Sequence, residues 1–171
     1  MGFFDLFKKK PALDTSRLVI NLTENGLDVN GTNIVLPCNI DTLKYLFGSA
    51  RKTVHPEKNY NYTWDRLGIY CYSRGGTIVR NISVRMNGDP DLSYSPSSPF
   101  GGIYTINGKN WFDVMKNGET EWLEDEGIKI PIFKRARFGN YSVISEFTDE
   151  DLSDGIAKIP DDLKNIEVDI K

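Results

Sequence analysis

Four carboxylates stand close together at Glu121, Glu124, Asp125 and Glu126, and Asp149, Glu150 and Asp151 follow. Paired carboxylates do general acid–base chemistry when burial raises the proton affinity of one of them. In runs this polar the side chains instead form a solvated acidic face, able to steer a basic partner. Other reactive groups are few. His55 is the only histidine, it precedes Pro56 in a polar stretch, and no serine sits in a G-x-S-x-G turn, so a hydrolytic triad is not expected. One histidine and two separated cysteines, Cys38 and Cys71, do not make a tetrahedral zinc set. Asp89-Pro90-Asp91 lacks the spacing of a calcium loop. Neither Gly75-Gly76 nor Gly101-Gly102 lies between a strand and a helix, as a phosphate cradle requires. No catalytic residue, metal or cofactor is expected; an enzyme would need a buried carboxylate facing a pocket.

The remaining chemistry is contact. Tyr60, Tyr62, Trp64, Tyr70 and Tyr72 share one parity if their strand is continuous. Large rings whose hydroxyls tolerate water are the material of interface anchors. The same set also suits a second core layer beneath a helix, and the sequence leaves that choice open.

These rings must be held by the stretch from Trp64 to Met86. Two alternating runs flank Gly75-Gly76 and read as a β-hairpin, with Arg74 facing Thr77, Cys71 facing Arg80 and Ile69 facing Ile82. One face then carries Ile69, Cys71, Ile78, Ile82, Val84 and Met86, and the other carries Tyr70, Tyr72 and Val79. Upstream, Leu18, Ile20 and Leu22 alternate with polar neighbours. Turns at Glu24-Asn25-Gly26 and Asn30-Gly31 give three short antiparallel strands, the last at Ile34-Val35-Leu36. After Pro37, Asn39 or Asp41 can cap a short helix with Leu43, Leu46 and Phe47 on one side, ended by Gly48. Ser49 to Asn61 reads as a loop by composition. Downstream, Trp111 to Lys116 reads as a helical turn, and Ile128, Ile130 and Ile132 alternate. Phe138-Gly139-Asn140-Tyr141 turns a hairpin that pairs Phe138 with Tyr141, Ala136 with Val143 and Ile132 with Phe147.

The expected fold is α+β, mainly antiparallel sheet built from hairpins with one or two short helices. An N-terminal segment (1–17) precedes a hairpin–helix–hairpin half (18–87), a Pro- and Ser-rich connection (88–101), a second half (102–148) and an acidic tail (149–171), whose sparse apolar residues can dock as a turn or strand. Val29-Asn30-Gly31-Thr32-Asn33 resembles Ile106-Asn107-Gly108-Lys109-Asn110, the pattern of a duplicated strand-turn unit.

At 171 residues and 39% hydrophobic content the chain can bury a core. Its cysteines read as reduced, partly buried thiols of a cytoplasmic protein, with a single bridge between them as the alternative. No run nears the roughly 20 apolar residues of a membrane span, and no signal peptide is expected, because Met1–Phe7 is too short for its apolar region and the lysines follow instead of preceding it. Phe3, Phe4, Leu6 and Phe7 before three lysines suit at most weak surface contact, so no stable membrane association is expected. Residues 1–118 hold 14 Lys and Arg against 10 Asp and Glu, whereas 119–171 hold 7 against 14. That asymmetry argues against nucleic acid as a partner and favours a basic one.

Leu36-Pro37 before the helix ended by Gly48, the run Tyr62-Thr63-Trp64-Asp65-Arg66-Leu67-Gly68-Ile69-Tyr70, and Pro99-Phe100-Gly101-Gly102 leading into Ile106-Asn107-Gly108 resemble a family of small bacterial proteins. Its members are similar to immunity proteins encoded beside polymorphic toxins, and the likeness covers about residues 18 to 110. The resemblance implies a cytoplasmic protein, a monomer or weak dimer, that neutralises a cognate toxin by occluding its active surface. A nuclease toxin would offer its basic substrate cleft to the acidic segment. The competing expectation is a structural or homo-oligomeric module pairing through exposed strand edges.

Overall fold

A computed structural model describes residues 15–87, 93–116, 121–125, 128–147 and 163–170. Alternation writes its first sheet. β1 (Val19–Thr23), β2 (Gly26–Val29) and β3 (Thr32–Ile34) form the expected antiparallel meander, with Ile20 opposite Val29 and Leu22 opposite Leu27. β10 (Ile103–Ile106) lies parallel to β1 on its other side and hairpins into β11 (Lys109–Asn110), giving the order β11-β10-β1-β2-β3. Both hairpins turn on Asn-Gly with positive φ at each residue, 50° and 84° at Asn30 and Gly31, 49° and 74° at Asn107 and Gly108. This is the local geometry that matches strand twist. The two similar five-residue segments therefore share a turn, but they flank β1 in one sheet.

The second sheet is larger, curled and mainly antiparallel. It runs β12 (Glu121–Asp125), β13 (Ile128–Phe138), β14 (Tyr141–Phe147), β15 (Leu163–Ile170), β9 (Asn81–Arg85), β7 (Ile69–Arg74), β6 (Asn59–Trp64) and β5 (Arg51–His55). Two short strands, β4 (Cys38–Asn39) and β8 (Ile78–Val79), pair with each other, and β8 also pairs with β7. Each sheet thus draws strands from both segments 18–87 and 102–148. The β13–β14 register is the expected one, with Phe138 opposite Tyr141 and Ala136 opposite Val143.

Helix α1 (Ile40–Phe47) starts where Asn39 accepts the Asp41 N–H at 2.9 Å and stops at Gly48. Asn110 likewise accepts the Phe112 N–H at 2.9 Å and opens α2 (Trp111–Lys116). Ile40, Leu43 and Phe47 of α1 and Trp111, Phe112 and Val114 of α2 join one core with the inner faces of the sheets.

Three expectations are corrected. The chain reverses over Asp65–Gly68, so β6 and β7 are separate antiparallel strands rather than one. The Gly75-Gly76 loop contains three residues: Arg74 faces Ile78 and Ser73 faces Val79, which buries Val79 completely and leaves Ile78 48% exposed. An irregularity at Arg80 then shifts the pairing again, so that Ile69 meets Val84 rather than Ile82. Finally, residues 51–55 and 59–61, read as loop, lie in the outer strand pair β5–β6, with Val54 opposite Tyr60. The apolar alternation of Ile166 and Val168 seats β15 between β14 and β9, so part of the acidic tail is an interior strand.

Candidate functional site

The turn at Asp65–Gly68 decides which aromatic rings are core. Across β6 and β7, Tyr62 stands opposite Cys71 and Trp64 opposite Ile69. All four residues are buried. Trp64 packs edge-on to Phe47 at 5.3 Å between ring centroids and donates Nε1–H to the Gly48 carbonyl at 2.9 Å. Tyr62 donates its hydroxyl to the Gly76 carbonyl at 2.8 Å. Tyr60 is half-buried with the Lys52 ammonium 4.1 Å from its ring centroid. Tyr70 and Tyr72 point the other way, beside Thr63 and Asn61. The five-ring surface is therefore divided between the two faces of the sheet.

The face that keeps Tyr70 and Tyr72 holds a cleft of about 450 Å³, open to solvent. Its floor is the outward parity of five neighbouring strands: Asn59 and Asn61 on β6, Tyr70 and Tyr72 on β7, Asn81 and Ser83 on β9, Asn165 and Glu167 on β15, and Glu146 on β14. His55 on β5 and residues Tyr94 and Ser95 complete the wall. Tyr94 stands edge-on to His55 at 5.7 Å and tilted to Tyr70 at 6.2 Å. The Nε2 of His55 is shut off from solvent with no hydrogen-bond partner among the described residues.

A clamp holds Tyr94 there. Arg51 grips Asp65 and also donates to the carbonyls of Ser93 and Ser95, at 2.7 and 3.0 Å. Asp65 accepts the Ser97 N–H, and the Thr63 hydroxyl donates to the Tyr94 carbonyl at 2.6 Å. Gly68 has φ +69°, and a Cβ on it would run into the Phe100 backbone, so the chain after the clamp closes tightly on this turn. The motif from Trp64 to Gly68 thus serves helix end, clamp, core and close approach in turn.

Electrostatically the cleft is centred on two carboxylates, Glu146 and Glu167. Ser83 donates its hydroxyl to Glu167 at 3.1 Å and Asn165 donates Nδ2–H to Glu146 at 2.6 Å. Burial raises the Glu167 carboxyl above its ordinary 4.5; hydrogen bonds from Ser83 and Asn81 oppose the rise, and Asp169 and Glu146 add to it. Burial likewise pushes the Tyr70 phenol up. No lysine or arginine is among the described residues lining the cleft. The arrangement can accept hydrogen bonds from a cationic group, and a raised carboxyl can also hold and release a proton. Among the described residues no three His, Cys, Asp or Glu side chains gather as a metal site. None of their helices is long and apolar enough to cross a membrane.

Glu121, Glu124 and Asp125 lie on β12, the opposite edge strand from β5, with β13 between them and β14. Glu126, Asp149, Glu150 and Asp151 lie outside the described residues, as do Met1–Lys10 and Asp89-Pro90-Asp91. The carboxylates that reach the cleft, Glu146 and Glu167, were not among those singled out in the sequence. Their signal is the polar parity of Asn165 and Glu167 against Ile166 and Val168, echoed by Asn81 and Ser83 against Ile82 and Val84.

Fold and cleft define a mostly β protein of two sheets, with a polar site on the outer face of the larger. Residues 19–121 match the domain of unknown function DUF7738, and the chain belongs to that family. No curated protein and no solved structure matches it. The matched span contains the clamp and the three cleft tyrosines; Glu146 and Glu167 come from strands beyond it.

Proposed function

We propose that this chain is a cytoplasmic immunity protein that binds a cognate bacterial toxin and covers its active surface, using the outer face that carries the cleft. The resemblance carried by Tyr62–Tyr70 and Pro99–Gly102 supports the class. The observation that carries the reading is the open cleft itself, where Tyr70, Tyr72 and Tyr94 surround carboxylates with no lining cation among the described residues. Solvent-reachable tyrosines beside acceptors are what a basic protein surface can dock against. The test is binding to the toxin encoded by the adjacent reading frame. Tyr72→Ala and Tyr70→Ala should each weaken the complex by more than about 2 kcal/mol. Unchanged affinity for both variants dismisses this face.

A second reading, acid–base catalysis, is favoured by Glu167, a carboxyl raised by burial inside a cleft that also holds Glu146. The two separate cleanly. One-to-one inhibition of the toxin without turnover supports the binder; multiple turnovers lost in Glu167→Gln support the enzyme.

A further inference from the structure

We propose that the cleft is a seat for one cationic side chain, arginine or lysine, with the Glu167 carboxylate as its counter-ion and tyrosine rings as its walls. The inference rests on the reading that a partner docks on this face, and it names the group that the partner inserts.

Three observations converge on a cation. First, two local donors already orient Glu167. Ser83 gives its hydroxyl to Oε2 at 3.1 Å, and Asn81 bonds the same carboxylate. A carboxylate offers about four lone-pair positions, so acceptor capacity is left over after these two bonds. Second, the rim tyrosine is fixed in place: the Tyr72 hydroxyl donates to Asn59 Oδ1 at 2.6 Å, and the Tyr72 N–H donates to Asn81 Oδ1 at 3.1 Å.

Third, the walls are aromatic. Tyr94 is clamped between His55 and Tyr70, and ring faces attract ammonium and guanidinium groups through their quadrupole. The chain uses the same chemistry elsewhere, where Lys52 sits 4.1 Å from the Tyr60 ring centroid. A neutral polyol would bring no charge to set against the Glu167 carboxylate. With no lysine or arginine among the described lining residues, a single extended cation supplies counter-charge and donors together.

The test uses the full-length chain and four probes: the Nα-acetyl methylamides of arginine, lysine, citrulline and norleucine, titrated by calorimetry and by NMR. Arginine and lysine should bind saturably, at least tenfold more tightly than the neutral citrulline and norleucine. They should shift the ring signals of His55, the one histidine. Glu167→Gln should erase the advantage of the charged probes. A wild-type titration in which citrulline matches arginine, or in which His55 does not respond to the charged probes, overturns the proposal even if the variant does not fold. Failure of the probes while Tyr72→Ala still releases the toxin removes the cation seat and leaves the docking face standing. Probe binding with toxin affinity indifferent to Tyr70 and Tyr72 does the reverse.

Discussion

Arg51 and Asp65 meet as a two-pronged ion pair, Nε to Oδ2 and Nη2 to Oδ1 both at 2.9 Å. The pair ties the edge strand β5 to the turn after β6. Through Ser93, Ser95 and Ser97 it also ties both to the segment that carries Tyr94. About a third of each side chain is exposed, so solvent screens the charge and the fixed fork geometry matters most. Arg51→Ala or Asp65→Asn should each cost roughly 1–2 kcal/mol in urea unfolding and open residues 93–98 to proteolysis. The double variant should lose little more than the worse single one. Additive losses would mean that the two residues act independently.

Two glycines with similar backbone angles should respond differently to alanine. At Gly68, φ is +69° and the added methyl would lie 2.6 Å from Phe100 Cα. At Gly108, φ is +74° and nothing lies within 4 Å. Gly108→Ala should therefore cost about 1 kcal/mol, the left-handed backbone penalty alone. Gly68→Ala should cost roughly 3 kcal/mol or prevent folding, since overpacking adds to that penalty. Equal thermal midpoints for the two variants would discard the close approach as a constraint.

Trp64 and Tyr72 part company in the same way. Trp64 is 3% exposed and Tyr72 39%. Trp64→Ala should lower stability by about 3–5 kcal/mol through cavity formation and loss of the bond to Gly48. Tyr72→Ala should leave the fold intact, with a loss within about 1 kcal/mol. A Trp64→Ala protein with wild-type stability would put that ring back on the surface.

Glu167 and Asp65 should pull the pH dependence of stability in opposite directions. Because the folded carboxyl of Glu167 lies above 4.5, the folded chain holds that proton more tightly than the unfolded chain. Its ionisation cost is absent below 4.5 and grows as pH rises through the raised value. Glu167→Gln should therefore gain stability on wild type as pH rises across this window. Asp65 is held below 3.8, first by the Arg51 hydrogen bond, so its contribution is present above 3.8 and disappears as pH falls through the folded value. The deficit of Asp65→Asn should be full at neutral pH and close in acid. Melting curves of both variants against pH check the two signs; gaps that do not vary with pH contradict them.

Local chemistry was legible wherever one short stretch carried its own answer. The Asn30-Gly31 and Asn107-Gly108 turns, the Asn39 cap, the Gly48 stop and the Phe138–Tyr141 hairpin all follow from neighbours in the chain, because positive φ, capping geometry and alternation act over a few residues. Ile78 and Val79 show where that logic ends. Both are apolar, so parity alone cannot choose between them. The choice falls to a third strand, since Val79 is opposite both Ser73 and Cys38.

The cleft lies further beyond local reach. The sequence by itself determined a sheet protein with tyrosines to spare, an acidic final third and a motif from Trp64 to Gly68 that had to matter. Only the tertiary structure decided that the turn inside that motif sends Trp64 and Tyr62 into the core and Tyr70 and Tyr72 outward. It also decided that a strand from the tail brings Glu167 opposite Ser83, 84 positions away. Strand order depends on long-range pairing, whose gain comes from burying Ile166 and Val168 between neighbours that the local pattern cannot name.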